Sequence, residues 1–115
     1  MRNIKVLFRS STMDPKDKVL ADGELKKFTN FVSRWKKRYF VLKEDSLSYH
    51  LSQKDKKVKG SITLKGAKVN PIEKSKRRFI VYKGNTDIHI KCRDKAEKTK
   101  WLNALSDSVI YFDEN

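Results

Sequence analysis

The chain has 115 residues, a length that suits one domain with one hydrophobic core. Its 28 Lys and Arg against 14 Asp and Glu give a formal charge of +14, which points to an anionic partner: a lipid surface, a nucleic acid or an acidic protein. A single cysteine, Cys92, excludes an intrachain disulfide and fits a reducing compartment, and no apolar run approaches the roughly 20 residues needed to cross a bilayer.

Residues 1–20 read as a leader or linker, with Ser10, Ser11 and Pro15 and weak periodicity. Within them Ile4 to Phe8 reads either as a short strand or as an anchor. The opening residues are basic but carry too little apolar sequence for a secretory signal.

The stretch Gly23 to Leu42 reads as two alternating strands joined by a short loop. Successive strand side chains point to opposite sides. Lys27 therefore shares a face with Gly23 and Leu25, and Lys36 and Arg38 share a face with Phe40 and Leu42. Unpaired cations are costly in a core. Cations in phase with core residues thus predict a place where the sheet opens to water and meets an anion, here a phosphorylated ligand. Phe31 and Val32 sit at the loop between the strands, flanked by cations, and read as an apolar tip that enters a headgroup layer.

Lys43 to Ser46 reads as a turn, and Leu47, Tyr49 and Leu51 alternate as a third strand with Tyr49 on its inner face. A basic loop, Gln53 to Val58, precedes a fourth strand from Lys59 to Leu64. Ala67 to Ile72 is a short fifth strand, ended by Pro71. Arg78 to Tyr82 and Asp87 to Cys92 form a hairpin around the turn Lys83 to Thr86. From Asp94 the period becomes helical, with Trp101, Leu102, Ala104, Leu105 and Val109 on one face, Asp94 as N-cap and Glu97 completing a capping box. The fold class expected is α+β, mainly β: a seven-stranded, partly open antiparallel barrel or sandwich closed by one C-terminal amphipathic helix, over residues 21–112.

Lys74 to Arg78 has the composition of a nuclear-import or nucleic-acid patch, and reads as a solvated turn or a nonspecific membrane contact. His89 and Cys92 have opposite parity on one strand, so they do not form a metal pair, and Cys92 falls in phase with Ile88 and Ile90 as core. Trp101 reads as core. With His50 and His89 as the only histidines, no glycine-rich phosphate loop and no nucleophile–base grouping, neither an enzyme, a cofactor nor a metal is expected.

The strand order, the Trp35 to Leu42 strand WKKRYFVL, Lys59-Gly60 and the mid-helix Trp101 together resemble the pleckstrin homology domain, from Asp22 to about Tyr111. Lys27-Phe28-Thr29-Asn30 followed by Phe31 and Val32 is similar to a narrower group: the oxysterol-binding proteins, the ceramide-transfer protein and the four-phosphate adaptor proteins. Phe28 stands where those relatives usually have tryptophan. The resemblance implies a membrane-targeting module that binds phosphatidylinositol 4-phosphate on the cytoplasmic face of the Golgi or related membranes. It implies work beside an Arf-type small GTPase, as a monomer, within a longer lipid-transfer protein. It also implies that Tyr49 donates its hydroxyl to a phosphate and that Lys59 stands near the inositol ring. The headgroup site is then Lys27, Lys36, Arg38, Tyr49 and Lys59, with Phe31 and Val32 inserting. Two other functions share these residues. One is a protein-interaction domain of the same fold without a specific lipid. The other is a nucleic-acid-binding domain with Phe31, Trp35 and Tyr39 as stacking platforms, disfavoured because Tyr39 faces away from Lys36 and Arg38.

Overall fold

The computed structural model describes residues 14–113, so the Ile4 to Phe8 segment lies outside the described residues. A short 3-10 turn at Pro15–Asp17, capped by Asp14, leads into β1 (Val19–Thr29), which starts inside the stretch read as leader. There follow β2 (Arg34–Lys43), β3 (Ser46–His50), β4 (Gly60–Thr63), β5 (Lys68–Asn70), β6 (Arg78–Lys83), β7 (Thr86–Lys91), α1 (Lys95–Ser106) and β8 (Tyr111–Phe112). They form one eight-stranded open sheet, in the order β8-β5-β6-β7-β1-β2-β3-β4. The expected mainly-β class with one C-terminal helix is what the chain adopts.

Alternation sets the core. Leu25, Phe40, Leu42, Phe79, Val81 and Ile90 all point inward and are essentially fully buried. Trp101 and Leu105 of α1 close over them, as does the buried Cys92. Burial pushes the Cys92 thiol up to about 12, so it is an inert core residue. Gly84 takes a positive φ of 58° in the two-residue turn between β6 and β7, a conformation glycine adopts without strain. At the start of α1, Asp94 accepts a hydrogen bond from the Glu97 N–H at 2.8 Å. That bond holds the Asp94 carboxyl below its usual range. Glu97 reaches back to the Arg93 N–H at 2.6 Å, giving a capping box displaced by one residue.

Four details depart from the sequence reading. The helix ends at Ser106, because the Ser108 hydroxyl bonds the Leu105 carbonyl at 2.7 Å and competes with continuation of the helix. Val109 is therefore off the helical face and exposed, and Ile110 is the buried residue instead. Leu51 lies beyond β3 and is exposed. β5 is only three residues long: Asn70 accepts from the Ile72 N–H at 2.9 Å, and Ile72 turns the chain with φ of 51°. Finally, the chain after α1 returns to the sheet as β8, paired in parallel with β5.

The helix face also contains Lys98, buried in register with Trp101 and Leu105. Its ammonium donates to the Ile72 carbonyl at 3.1 Å and the Ser75 carbonyl at 2.6 Å, tying α1 to the β5–β6 loop. Lys98→Met keeps the apolar stem but leaves both carbonyls without this donor. It is expected to lower stability by about 1–3 kcal/mol, read as a fall of several degrees in melting temperature. An unchanged melting temperature would show that the loop holds itself.

Candidate functional site at the mouth of the β1–β2 hairpin

The β1–β2 hairpin is the longest in the sheet and stays in register up to Thr29 opposite Arg34. Its tip is the turn Asn30 to Ser33, held by Thr29 Oγ1 donating to the Arg34 carbonyl at 3.0 Å. At the tip Phe31 is 99% exposed and Val32 is 42% exposed. Single exposed apolar residues are ordinary, but a phenylalanine with almost no contact of its own at the end of a projecting hairpin gains only by meeting something apolar.

Behind the tip, on the inner side of the sheet, lies an open cavity of about 410 Å³. Its wall holds Lys27 and Thr29 from β1, Lys36 and Arg38 from β2, Tyr49 from β3, Lys59 ahead of β4, and Phe31 and Val32 from the tip. Every residue singled out in the sequence as a headgroup or insertion candidate lines this one cavity. Parity brings in the β1 and β2 cations. Tyr49 and Lys59 arrive through pairing of β3 with β4, where the Lys59 N–H donates to the Tyr49 carbonyl at 2.8 Å. Thr29 is the lining residue the sequence reading missed. It has the same parity as Lys27, which was the available signal.

The lining is cationic, with no acidic side chain in it. Lys27 stands directly opposite Lys36, a like-charge cross-strand pair that costs stability. Among the described residues, Lys27, Lys36, Arg38 and Lys59 form no ion pair. Partial burial, and then the neighbouring Arg38 charge, lower the pKa of Lys27, with Asp87 opposing weakly from β7. The Lys27 ammonium sits 5.2 Å from the Tyr49 ring centroid. Arg38 donates one bond to the Lys37 carbonyl at 2.8 Å, leaving most of its five donors for a ligand. Such a set suits phosphate: a planar fork for bidentate contact, mobile ammonium groups around it, and a phenol hydroxyl with no hydrogen-bond partner among the described residues.

Tyr49 is positioned by packing. Its ring lies 5.5 Å from that of Phe40, and its other side rests on Gly60, its cross-strand partner. A Cβ on Gly60 would stand 2.5 Å from the Tyr49 Cζ and hydroxyl oxygen. Gly60→Ala is therefore expected to push the phenol out of its place in the cavity. The cost is about 1–3 kcal/mol of overpacking, visible as moved Tyr49 ring resonances and a lowered melting temperature. Unmoved ring resonances would show that the strand, and not the ring, gives way.

No helix among the described residues is long and apolar enough to cross a membrane, and no group of three or more His, Cys, Asp or Glu among them is placed to hold a metal.

The chain is 32% identical over 97 residues to oxysterol-binding protein-related protein 9 of Homo sapiens, covering 79% of this chain and 13% of that protein. It is 35% identical over 98 residues to pleckstrin homology domain-containing family A member 8 of Danio rerio, covering 82% of this chain and 18% of that protein. With the ceramide transfer protein of Xenopus tropicalis the identity is 29% over 85 residues, covering 72% and 14%. The chain thus spans less than a fifth of the length of these relatives. Among solved structures, the PH domain of human oxysterol-binding protein-related protein 11 superposes with a TM-score of 0.68 at 26% identity, over 77% of this chain and 78% of that one. The C-terminal PH domain of pleckstrin, in complex with D-myo-Ins(1,2,3,5,6)P5, superposes with a TM-score of 0.70 at 25% identity, over 80% and 96%. The PH domain family model matches residues 19–109, and the chain belongs to that family.

Proposed function

We propose that this domain recruits a longer protein to a membrane by binding the phosphorylated headgroup of a phosphoinositide, phosphatidylinositol 4-phosphate. The observation that carries the reading is the mouth itself: four cations without ion-pair partners around Tyr49, directly behind a 99% exposed phenylalanine. Arg38 takes the phosphate by its fork, Lys27, Lys36 and Lys59 neutralise the remaining charge, and Tyr49 donates its hydroxyl. Phe31 and Val32 insert beside the headgroup, so binding depends on the lipid being in a bilayer.

PH domains are in general non-catalytic binding modules, and the relatives are oxysterol-binding and ceramide-transfer proteins. One structural neighbour is itself a complex with an inositol pentakisphosphate. These support a phosphoinositide ligand, a lipid-transfer parent protein and a place on the cytoplasmic face of Golgi or related membranes. The domain acts there as a monomer beside an Arf-type GTPase. The test is co-sedimentation with vesicles carrying each single and multiple phosphoinositide, at low and physiological salt. A preference for the 4-phosphate lipid that survives salt is expected. Binding that follows total lipid charge alone, and collapses with salt, would overturn the specific pocket.

A further inference from the structure

Thr29 lines the mouth but has no part in holding the headgroup on the proposed function. It ends β1, directly opposite Arg34 at the start of β2, and its hydroxyl donates to the Arg34 carbonyl at 3.0 Å. Direct cross-strand partners share a face, so the Arg34 side chain stands beside it, with the Cβ atoms about 5 Å apart. Lys27 lies two residues back on the same face, and Lys36 lies diagonally across at about 7–8 Å. Arg38 and Lys59 complete the cationic wall. Among the described residues none of Lys27, Arg34, Lys36, Arg38 and Lys59 forms an ion pair. A phosphate ester on a hydroxyl so placed is stabilised. It carries a charge of about −1.5 to −2 at neutral pH and three acceptor oxygens, and it forms charge-assisted hydrogen bonds when set opposite arginine.

The local sequence supplies the means of making that ester. Thr29 is preceded by Lys26, Lys27 and Phe28. Lysines three and two positions ahead of a threonine suit a protein kinase with an acidic substrate cleft, because charge pattern sets kinase specificity. Such a cleft takes its substrate extended, and β1 is extended already. Among the described residues β1 pairs with β7 at Lys26 and Lys27, so from Phe28 onward that edge of the strand is open. Only the last rungs to β2 have to part, and the end of a hairpin opens at little cost. Ser33, the other hydroxyl at the tip, follows Asn30, Phe31 and Val32 and is not part of the cavity wall. We propose that Thr29 is a phosphorylation site for a basic-directed protein kinase, and that its phosphate occupies the mouth in place of the headgroup and releases the domain from the membrane. The Thr29 oxygen bonds to the γ-phosphorus of ATP, the bond from that phosphorus to the β–γ bridging oxygen breaks, ADP leaves, and the hydroxyl proton passes to the base of the kinase. The ester gives up the hydrogen bond to the Arg34 carbonyl and gains the side chains of Arg34, Lys27 and Lys36. Being tethered, it competes with the lipid at an effective concentration on the order of millimolar. Exclusion is reciprocal, so a headgroup in the mouth shields Thr29 from the kinase. The release rests on the membrane reading above; the modification site does not.

The test installs the phosphate in two ways. The unmodified protein is incubated with magnesium ATP and the catalytic subunit of cAMP-dependent protein kinase, and the acceptor is located by mass spectrometry. Label is expected on Thr29, is absent there in Thr29→Val, and accumulates more slowly with saturating soluble inositol 4-phosphate. Separately, protein synthesised with the phosphoryl group already on Thr29 is titrated by phosphorus NMR. Its second ionisation should lie well below the value of about 6 expected for an isolated phosphate ester, and Arg34→Gln should bring it back toward that value. The same protein should melt higher than the unmodified one, because the phosphate relieves the Lys27–Lys36 repulsion. It should also lose about a hundredfold in affinity for phosphatidylcholine vesicles containing phosphatidylinositol 4-phosphate. No transfer by the kinase, or transfer to Ser33 instead, overturns Thr29 as the acceptor. An ionisation near 6, or vesicle binding as tight as that of the unmodified protein, overturns occupation of the mouth. Thr29→Val weakening vesicle binding as much as the phosphate does would assign the effect to the lost bond with Arg34 and overturn it too. An unmodified protein that binds no vesicle overturns the membrane reading and the release with it, while the phosphorus titration still decides the site.

Discussion

Arg38→Glu is expected to reduce binding to vesicles containing phosphatidylinositol 4-phosphate by about a hundredfold or more, with no loss of stability. Charge-assisted hydrogen bonds are each worth about 1.5–3 kcal/mol, and every 1.4 kcal/mol is a tenfold change. Losing a bidentate contact, two such bonds, thus accounts for about two to four decades before the reversed charge repels the phosphate. Stability should hold because no acidic side chain lines the mouth to pair with Arg38. Arg38 adds to the positive field that lowers the pKa of Lys27. Lys36 and Lys59 line the same cavity without an acidic partner. A carboxylate at this position relieves that repulsion, so the melting temperature should hold or rise slightly. Loss of binding together with a lower melting temperature would mean that Arg38 supports the barrel mouth and does not read a ligand.

Cations set in phase with core residues are also what marks the mouth in the sequence. Strand parity alone placed Lys27, Lys36 and Arg38 in phase with Leu25, Phe40 and Leu42, and those three apolar residues are buried as parity requires. The capping box at Asp94 and the core position of Trp101 were local signals of the same kind. What was not visible depends on partners distant in sequence. Parity assigns a residue to a face but not to a rung. The outer-face cations Lys37, Lys26, Lys91 and Arg78 fall in line across four strands only once three strand pairings fix their registers. Lys98 sits on the buried stripe of α1, yet as a lysine it reads as solvated, because the two carbonyls it serves belong to a loop more than twenty residues earlier. β8 has two residues and no periodicity of its own, and parallel pairing with β5 creates it. The helical period in the sequence extends to Val109, whereas Ser108 bonds the Leu105 carbonyl and the helix ends at Ser106.

Phe31→Asp should separate membrane binding from headgroup binding. Burying a phenylalanine side chain contributes about 1.5–3 kcal/mol, so its loss costs roughly tenfold to a hundredfold in vesicle affinity. The added carboxylate increases that cost at an anionic surface. In water Phe31 is 99% exposed and supports little of the fold, so the melting temperature should stay within the range of an ordinary surface change, about 0.5 kcal/mol. On the proposed function the phosphate-binding donors are Lys27, Lys36, Arg38, Tyr49 and Lys59, not residues of the tip. Affinity for soluble inositol 4-phosphate, measured by calorimetry, should therefore be largely kept. The comparison decides between two roles that the geometry allows, because Phe31 both crowns the hairpin and forms part of the cavity wall. A wedge loses vesicle binding and keeps the soluble headgroup. A wall loses both equally, and that outcome would remove bilayer insertion from the mechanism and leave recruitment to the cations alone.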